Sequence, residues 1–538
     1  MTHPAPDPIA VAVLGHRLRA AVEEAGEAML RTAYSQILNA SRDFSVALCD
    51  ARARLVAQAD HIPVHVGAMP FAVRAVLDAF PAGAVRDGDV YLLNDPYHGG
   101  SHLPDLTALV PAFGPDAGGP PLFWSVVRAH MTDVGGATHG GYNPAATEIW
   151  QEGLRVPPIR LGEGGRLRED LVAMLAANVR LPRDFRGDLA AMVGAATLGA
   201  RRVAEALARE GTATVLAAVE AILDGAEAHA RRTVSSWADG EWTGEAVLDD
   251  DGHGRTDVAV RAAVAKRGDR VRVDLSASDP QTGGFLNSSY PNMYSSVAMA
   301  FAYLLDPGTP RNDGAFRPLE VAAREGTVAW AAHPAPVTLC TSHPANEIVE
   351  AVVVALSNAC PDRAMGGWGR RFRVALDGRD PRTGRRFLWH LFHARPGGGA
   401  SSGGPGWPCA GEWHSAGGIK FGSVEVAEAR FPLHFARHEI REGSGGDGAH
   451  RGGDGAALDL VVESDGPCRA NTAGDGARHG ARGMCGGANG APHDYAVRRA
   501  ADGSLRPLAT KEAGVAVGPG DALLVRSGGG GGWGPPGA

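Results

Sequence analysis

Three stretches of this sequence bring imidazoles and carboxylates close enough to share one ion. The densest is Asn94-Asp-Pro-Tyr-His-Gly-Gly-Ser-His-Leu-Pro-Asp105, where His102 and Asp105, separated by Leu-Pro, can converge at the junction of a strand and a turn. Arg128-Ala-His-Met-Thr-Asp-Val-Gly-Gly136 offers His130 and Asp133 from the end of another expected strand, and Ser41-Arg-Asp-Phe-Ser45 offers Asp43. Two imidazoles with one or two carboxylates, and no soft thiolate, suit zinc, manganese or iron; calcium would want more oxygens. Such a metal lowers the pKa of bound water to near ~7 and polarises a carbonyl, the two services that amide hydrolysis needs. The competing reading makes these core histidines with ordinary hydrogen-bond partners and turn-capping aspartates. Paired glycines in both His motifs, Gly99-Gly100 and Gly135-Gly136, keep the metal reading level with the plainer one, because they let backbone approach a bound group.

The elements that must carry these residues follow from apolar spacing. Residues from Pro8 to about Leu38 recur at helical spacing. Short apolar runs at Phe44 to Cys49, Leu55 to Gln58, Val90 to Asn94 and Phe123 to Ala129, bounded by Asp, Gly or Pro, read as buried strands that hold the polar motifs. From Arg168 to about Trp237 the pattern is helical, broken at Leu181-Pro182 and near Gly211. Strands follow at Val258 to Val264 and Arg270 to Leu275, and helices at Met293 to Leu305 and Ala345 to Ala359. Beyond Gly398, Gly-rich turns alternate with strands at Val424 to Arg437, Ala457 to Glu463 and Ala522 to Arg526. The expected fold is therefore mixed α/β: an N-terminal α+β region over 1–237 with the candidate metal site, then a β-rich, Gly-rich C-terminal region over 238–538. The Gly528 to Gly532 run reads as a flexible or tightly turned tail rather than an anion-binding nest.

Composition narrows the function classes. The 538 residues, 44% hydrophobic and 21% charged, can bury a large core. A net charge of -8, from 52 basic and 60 acidic residues, gives no reason to expect a nucleic-acid or membrane partner. No leader or membrane-length apolar run is readable, and six scattered cysteines without a CxxC pair point to reduced thiols and a cytoplasmic protein. None of them sits in a catalytic context, and Gly399-Ala-Ser-Ser-Gly403 has no helix behind it to make a nucleophile elbow. Neither a Gly-x-x-x-x-Gly-Lys-Ser/Thr loop nor a dinucleotide fingerprint occurs, so ATP has no evident home here.

The strings RTAYSQILNASRDFSVALCD, LVAQADHIPVHVGAMP, LLNDPYHGGSHLPDLTALVPAF, VRAHMTDVGG and EIWQEGLRVPPIRL follow one another in order, and VDLSASDPQTGGFLNSSYPN, EIREGSGGDGAHRGGDG and PGDALLVRSGGGGGWGPP extend the series to the end. Together they resemble the hydantoinase B/oxoprolinase family over practically the whole chain. The resemblance implies a B-type subunit that opens small cyclic amides (hydantoins, 5-oxoproline or other lactams) with an ATP-binding A-type subunit, which would hold ATP and magnesium and phosphorylate the substrate oxygen. It maps a divalent metal site onto His102, Asp105 and His130, with Asp43 a fourth contact. It also marks Asp105 and Glu439 as catalytic carboxylates, Glu439 as an acid or base. Within the same family architecture lies ketone carboxylation of the acetone or acetophenone type; a non-catalytic scaffold for the A-type subunit is a third reading.

Two departures bear on the site. Many relatives carry a second histidine after the position of His130, where this chain has Met131, a poor ligand for a hard or borderline metal. His139 lies nearby as a substitute, with a surface turn as its plainer reading. The plainer reading of Glu439 is a salt bridge with Arg441 or Arg451. If the ligands face the surface, replacing His102 or Asp105 should remove the metal and leave the fold largely intact.

Overall fold

The structure is a computed structural model describing residues 7–59, 61–115 and 118–537. In place of one helix from Pro8 to Leu38, the chain forms Pro8–Thr32 and a short helix, Gln36–Asn39. The break falls where the amides of Tyr34 and Ser35 both donate to the Asp188 carboxylate, at 2.7 and 3.1 Å. A long-range side chain thus takes over from the helical ladder.

The N-terminal strands β1 (Phe44–Asp50), β2 (Leu55–Ala59), β3 (Val90–Leu93), β4 (Asp105–Ala112), β5 (Phe123–His130), β6 (Ile159–Glu163) and β7 (Arg166–Leu167) form one antiparallel sheet in the order β2-β1-β5-β4-β3-β6-β7. Every residue of β1, β3, β4 and β5 is buried, which is why they read as continuous apolar runs. Helices Pro8–Thr32 and Pro182–Glu210 pack on one face of this sheet. Helix Met69–Ala79 covers the other. The helical stretch divides as its breakers imply, into Glu169–Ala177, Pro182–Glu210 and Thr212–Ser235.

The next sheet comprises β8 (Gly240–Asp250), β9 (Thr256–Arg267), β10 (Arg270–Asp274) and β11 (Leu319–Ala322), in the order β11-β10-β9-β8 with β10 and β11 parallel. Helix Ala345–Leu356 lies so close on it that a Cβ at Gly244 would stand 2.0 Å from the Ala351 carbonyl oxygen. One hydrophobic core runs from Leu14 through Trp237 into this layer. A second core, beginning at Phe372, belongs to the C-terminal sheets.

Those sheets are built from β12 (Phe372–Arg379), β13 (Arg386–His390), β14 (Leu433–Arg441), β15 (Gly455–Val462), β16 (Cys468–Gly474), β17 (Asp494–Arg498), β18 (Leu505–Pro507), β19 (Lys511–Val517) and β20 (Ala522–Arg526). Their orders are β13-β12-β16-β19 and β14-β15-β20-β17-β18. The strand expected over Val424 to Arg437 is a helix, Val424–Arg430, followed by β14. Ser423 caps the helix by accepting from the Val426 amide, and the Glu- and Ala-rich turn behind it favours helix.

The Gly528 to Gly532 run is neither a loose tail nor a free nest. It is buried, and its amides at 529 to 532 donate to the carbonyls of Ala491, Gly453, Gly367 and Ala488. A Cβ at Gly530 would sit 2.0 Å from the Gly398 oxygen, and one at Gly531 1.9 Å from that of Arg482. Glycine is required because backbone packs directly on backbone.

Candidate metal centre

Strand register assembles the site. Asp105, the first residue of β4, lies opposite His130, the last of β5. His130 Nδ1 stands 3.0 Å from Asp105 Oδ1, and His102 Nε2 stands 2.8 Å from the same oxygen. Ligand atoms of His102, Asp105 and His130 all lie within 4.8 Å of one another. The turn before β4 is fixed by Asn94, whose amide nitrogen donates to the carbonyls of Leu103 and Leu154 while its oxygen accepts from the Val156 amide.

A fourth imidazole or carboxylate comes from two places. Asp43, immediately before β1, is buried with Oδ2 unpartnered. His65, from the short helix Pro63–Val66, was not singled out in the sequence. Its Nε2 stands 3.3 Å from Asp105 Oδ2 and 3.8 Å from Asp43 Oδ1. The only signal for it was the His61-Ile-Pro-Val-His65 pair within a family-like string.

Proton bookkeeping favours a cation among these groups. His102 Nδ1 donates to the Thr338 carbonyl, so its Nε2 lone pair faces Asp105. Ser45 Oγ gives its hydrogen to the Ile62 carbonyl, so at 3.4 Å it accepts from His65 Nδ1, and the His65 Nε2 lone pair also faces carboxylates. Burial lowers His65 to about 4, leaving it neutral at pH 7. A proton can fill one gap between these acceptors; several at once, with Asp43 Oδ2 still unpartnered, fit a divalent ion.

The structure sorts the remaining candidates. Asp133 is taken by Arg180 at 2.9 Å, away from the cluster. Met131 is buried in the apolar core. His139 is not a surface histidine but a buried one, with Nε2 3.0 Å from the Ala375 carbonyl, so it does not replace a ligand. Glu439 lies on β14, exposed and paired with Arg437 at 2.8 Å rather than with Arg441 or Arg451, and the structure does not bring it to the cluster. Gly100 and Gly135 are filled from the protein side, by the carbonyls of Asn94 and Asn178, rather than left open to a ligand. The candidate ligands are fully buried, not surface-facing: His102 and Asp105 are 0% exposed.

Behind His130 stands Tyr142, its hydroxyl 3.1 Å from His130 Nε2 and in contact with Arg373 Nη1. Burial pushes the Tyr142 phenol up to about 12. Arg373 comes from β12, so a side chain from the C-terminal region reaches Tyr142 behind the cluster, and no local spacing in the sequence joins the pair.

A mixed α/β protein with a buried His/Asp cluster of this kind is a candidate metalloenzyme subunit. The hydantoinase B/oxoprolinase family model matches residues 7–536, and the chain belongs to that family. The caprolactamase subunit beta of Pseudomonas jessenii is 35% identical over 457 residues, covering 84% of this chain and 78% of its own. The crystal structure of the ATP-dependent caprolactamase from Pseudomonas jessenii superposes with a TM-score of 0.92 at 32% identity, over 99% of this chain and 92% of that one. A nucleotide-free acetone carboxylase structure matches with a TM-score of 0.86 at 20% identity over 98% of this chain and 76% of that one, a likeness of fold.

Proposed function

We propose that this chain is the metal-bearing subunit of an ATP-dependent cyclic amide hydrolase, acting with an ATP-binding A-type subunit on a hydantoin, 5-oxoproline or another lactam. The observation that carries the reading is the convergence of the His102, His65 and His130 ring nitrogens on the Asp105 carboxylate, with Asp43 beside them. The caprolactamase likeness favours a lactam.

Zinc, manganese or iron held there would supply Lewis acidity and an activated water. His102 is oriented for binding by Thr338, and His65 by Ser45. Asp105 is held in line by Ser101 Oγ, which donates to its Oδ2 at 2.8 Å. The buried setting keeps both carboxylates away from bulk water and strengthens every charge interaction with a substrate carbonyl. Activation of that carbonyl by ATP falls to the partner, together with magnesium. Six free cysteines accord with a reducing, cytoplasmic setting. No helix of the described residues is long and apolar enough to cross a membrane.

Elemental analysis of the purified chain beside His102→Ala, followed by lactam turnover with the A-type subunit and ATP, tests this. Near-stoichiometric metal lost in the variant, and lactam opening that needs ATP, are expected. Absence of metal after reconstitution would leave a scaffold subunit; bicarbonate-dependent consumption of a ketone instead of lactam opening would make it a carboxylase.

A further inference from the structure

Buried arginines Arg370, Arg371 and Arg395 come paired with carboxylates, whereas Arg373 and Arg128 do not. Arg370 binds Glu350 at 3.0 and 3.1 Å, Arg371 binds Glu412 at 2.8 Å, and Arg395 reaches Glu412 at 3.3 Å. Arg373 is only 4% exposed, yet no carboxylate of the described residues forms an ion pair with it. Its Nη1 donates to Tyr142, and its Nε has no partner. The guanidinium lies over the Tyr142 ring, 5.2 Å from its centroid.

A buried guanidinium without a counter-charge is costly, and an anion bound beside it would offset that cost. The charge around the centre points the same way. Arg128 is also buried without an ion pair, held by Thr107 Oγ1 at 2.8 Å with Nη1 unpartnered. Asp43 and Asp105 would be neutralised by a divalent ion, leaving Arg373 and Arg128 as surplus positive charge.

A surface pocket adjoins His390, whose ring packs toward Tyr142. A pocket of about 230 Å³ is lined by Thr132, His390, Arg385 and Arg386, among others. The Thr132 hydroxyl is buried and unpartnered. The His390 ring lies 6.0 Å from that of Tyr142, and His390 is the β13 partner of Ala375, two residues beyond Arg373 on β12.

We propose that Arg373 recognises an anionic oxygen of the ligand at this centre, a phosphoryl or carboxylate oxygen that approaches by the Thr132–His390 pocket. The proposal rests on the metal-centre reading above and adds to it the residue that selects for charge. A planar fork with a free N–H suits an oxyanion; an uncharged ring amide alone would leave it unsatisfied.

Isothermal titration of inorganic phosphate, and separately of acetate, into the purified full chain tests it, with metal content measured on the same samples. Wild type should bind at least one of the two anions, with Arg373→Met weakening that binding by ~10-fold or more and Arg373→Lys by less, at unchanged metal content. Dependence on Arg373 for phosphate identifies a phosphoryl ligand, and dependence for acetate a carboxylate. Should Arg373→Met not fold, Arg373→Lys carries the comparison, since it keeps the charge and loses the fork. Binding of both anions at wild-type strength in the folded variants overturns the proposal, as does failure of metal-loaded wild type to bind either. A wild type without metal sinks the function proposed above, while the effect of Arg373 on anion binding is still read in the same titrations.

Discussion

Asp105 and His130 are 25 residues apart in the chain and directly opposite one another across two antiparallel strands, His130 Nδ1 3.0 Å from Asp105 Oδ1. Because β4 begins at the one and β5 ends at the other, the pair sits at the ends of two interior strands, where the turn carrying His102 can fold back onto it. A one-residue slip of that register would turn one side chain to the opposite face and dismantle the site.

Metal should therefore be linked to stability. Added zinc or manganese should raise the melting temperature of wild type, since an ion that binds only the folded chain stabilises it. Asp105→Ala and His102→Ala should abolish that rise. Scanning fluorimetry with and without metal reads it; an equal rise in the variants would place the ion elsewhere. Because both side chains are buried, some loss of stability in the variants is also expected, contrary to what surface ligands would show.

His65 should behave as a ligand or as the holder of one. His65→Ala is expected to lower metal affinity by ~10-fold or more, on the scale of groups that orient or bind a metal. Competition with a chromophoric chelator measures it. Unchanged affinity would reduce His65 to a packing residue.

Acid should weaken the fold through His493, far from any ligand in sequence. Its Nε2 donates to the Arg370 carbonyl at 2.7 Å, and its Nδ1 accepts from the Gly528 amide at 2.8 Å, so the neutral ring is fully satisfied. Burial lowers it to about 4, below the ordinary 6.5. The unfolded chain therefore binds the proton first: stability is fully present above pH 6.5 and falls as the pH drops toward 4. Urea unfolding at a series of pH values should show this slope, and His493→Gln should flatten it. An unaltered slope would assign the acid sensitivity to other buried histidines.

Gly530→Ala should destabilise the chain by about 2 kcal/mol or more, because its Cβ would meet the Gly398 oxygen at 2.0 Å in a layer made of backbone. Gly225→Ala, on the helix Thr212–Ser235 with open space at its Cβ, should be neutral or stabilising by up to ~1 kcal/mol. Thermal denaturation of both variants checks the contrast. Equal melting temperatures would mean that the glycine layer yields more readily than its contacts imply.

The sequence by itself determined the family, the mixed α/β class and most helices and strands, because periodicity, breakers and ordered motifs are local signals. The family resemblance carried by those motifs also mapped a site onto His102, Asp105 and His130, where spacing by itself had left Asp133 among the candidates. The tertiary structure alone decided what surrounds them. The register of β4 and β5 set the meeting of Asp105 with His130, and long-range packing brought in His65, Tyr142 and Arg373. Packing also left Glu439 exposed on β14 and turned the terminal glycines from an expected tail into an interior layer. Burial and cross-strand pairing depend on which segments fold against one another, and that information is carried by no single stretch of the chain.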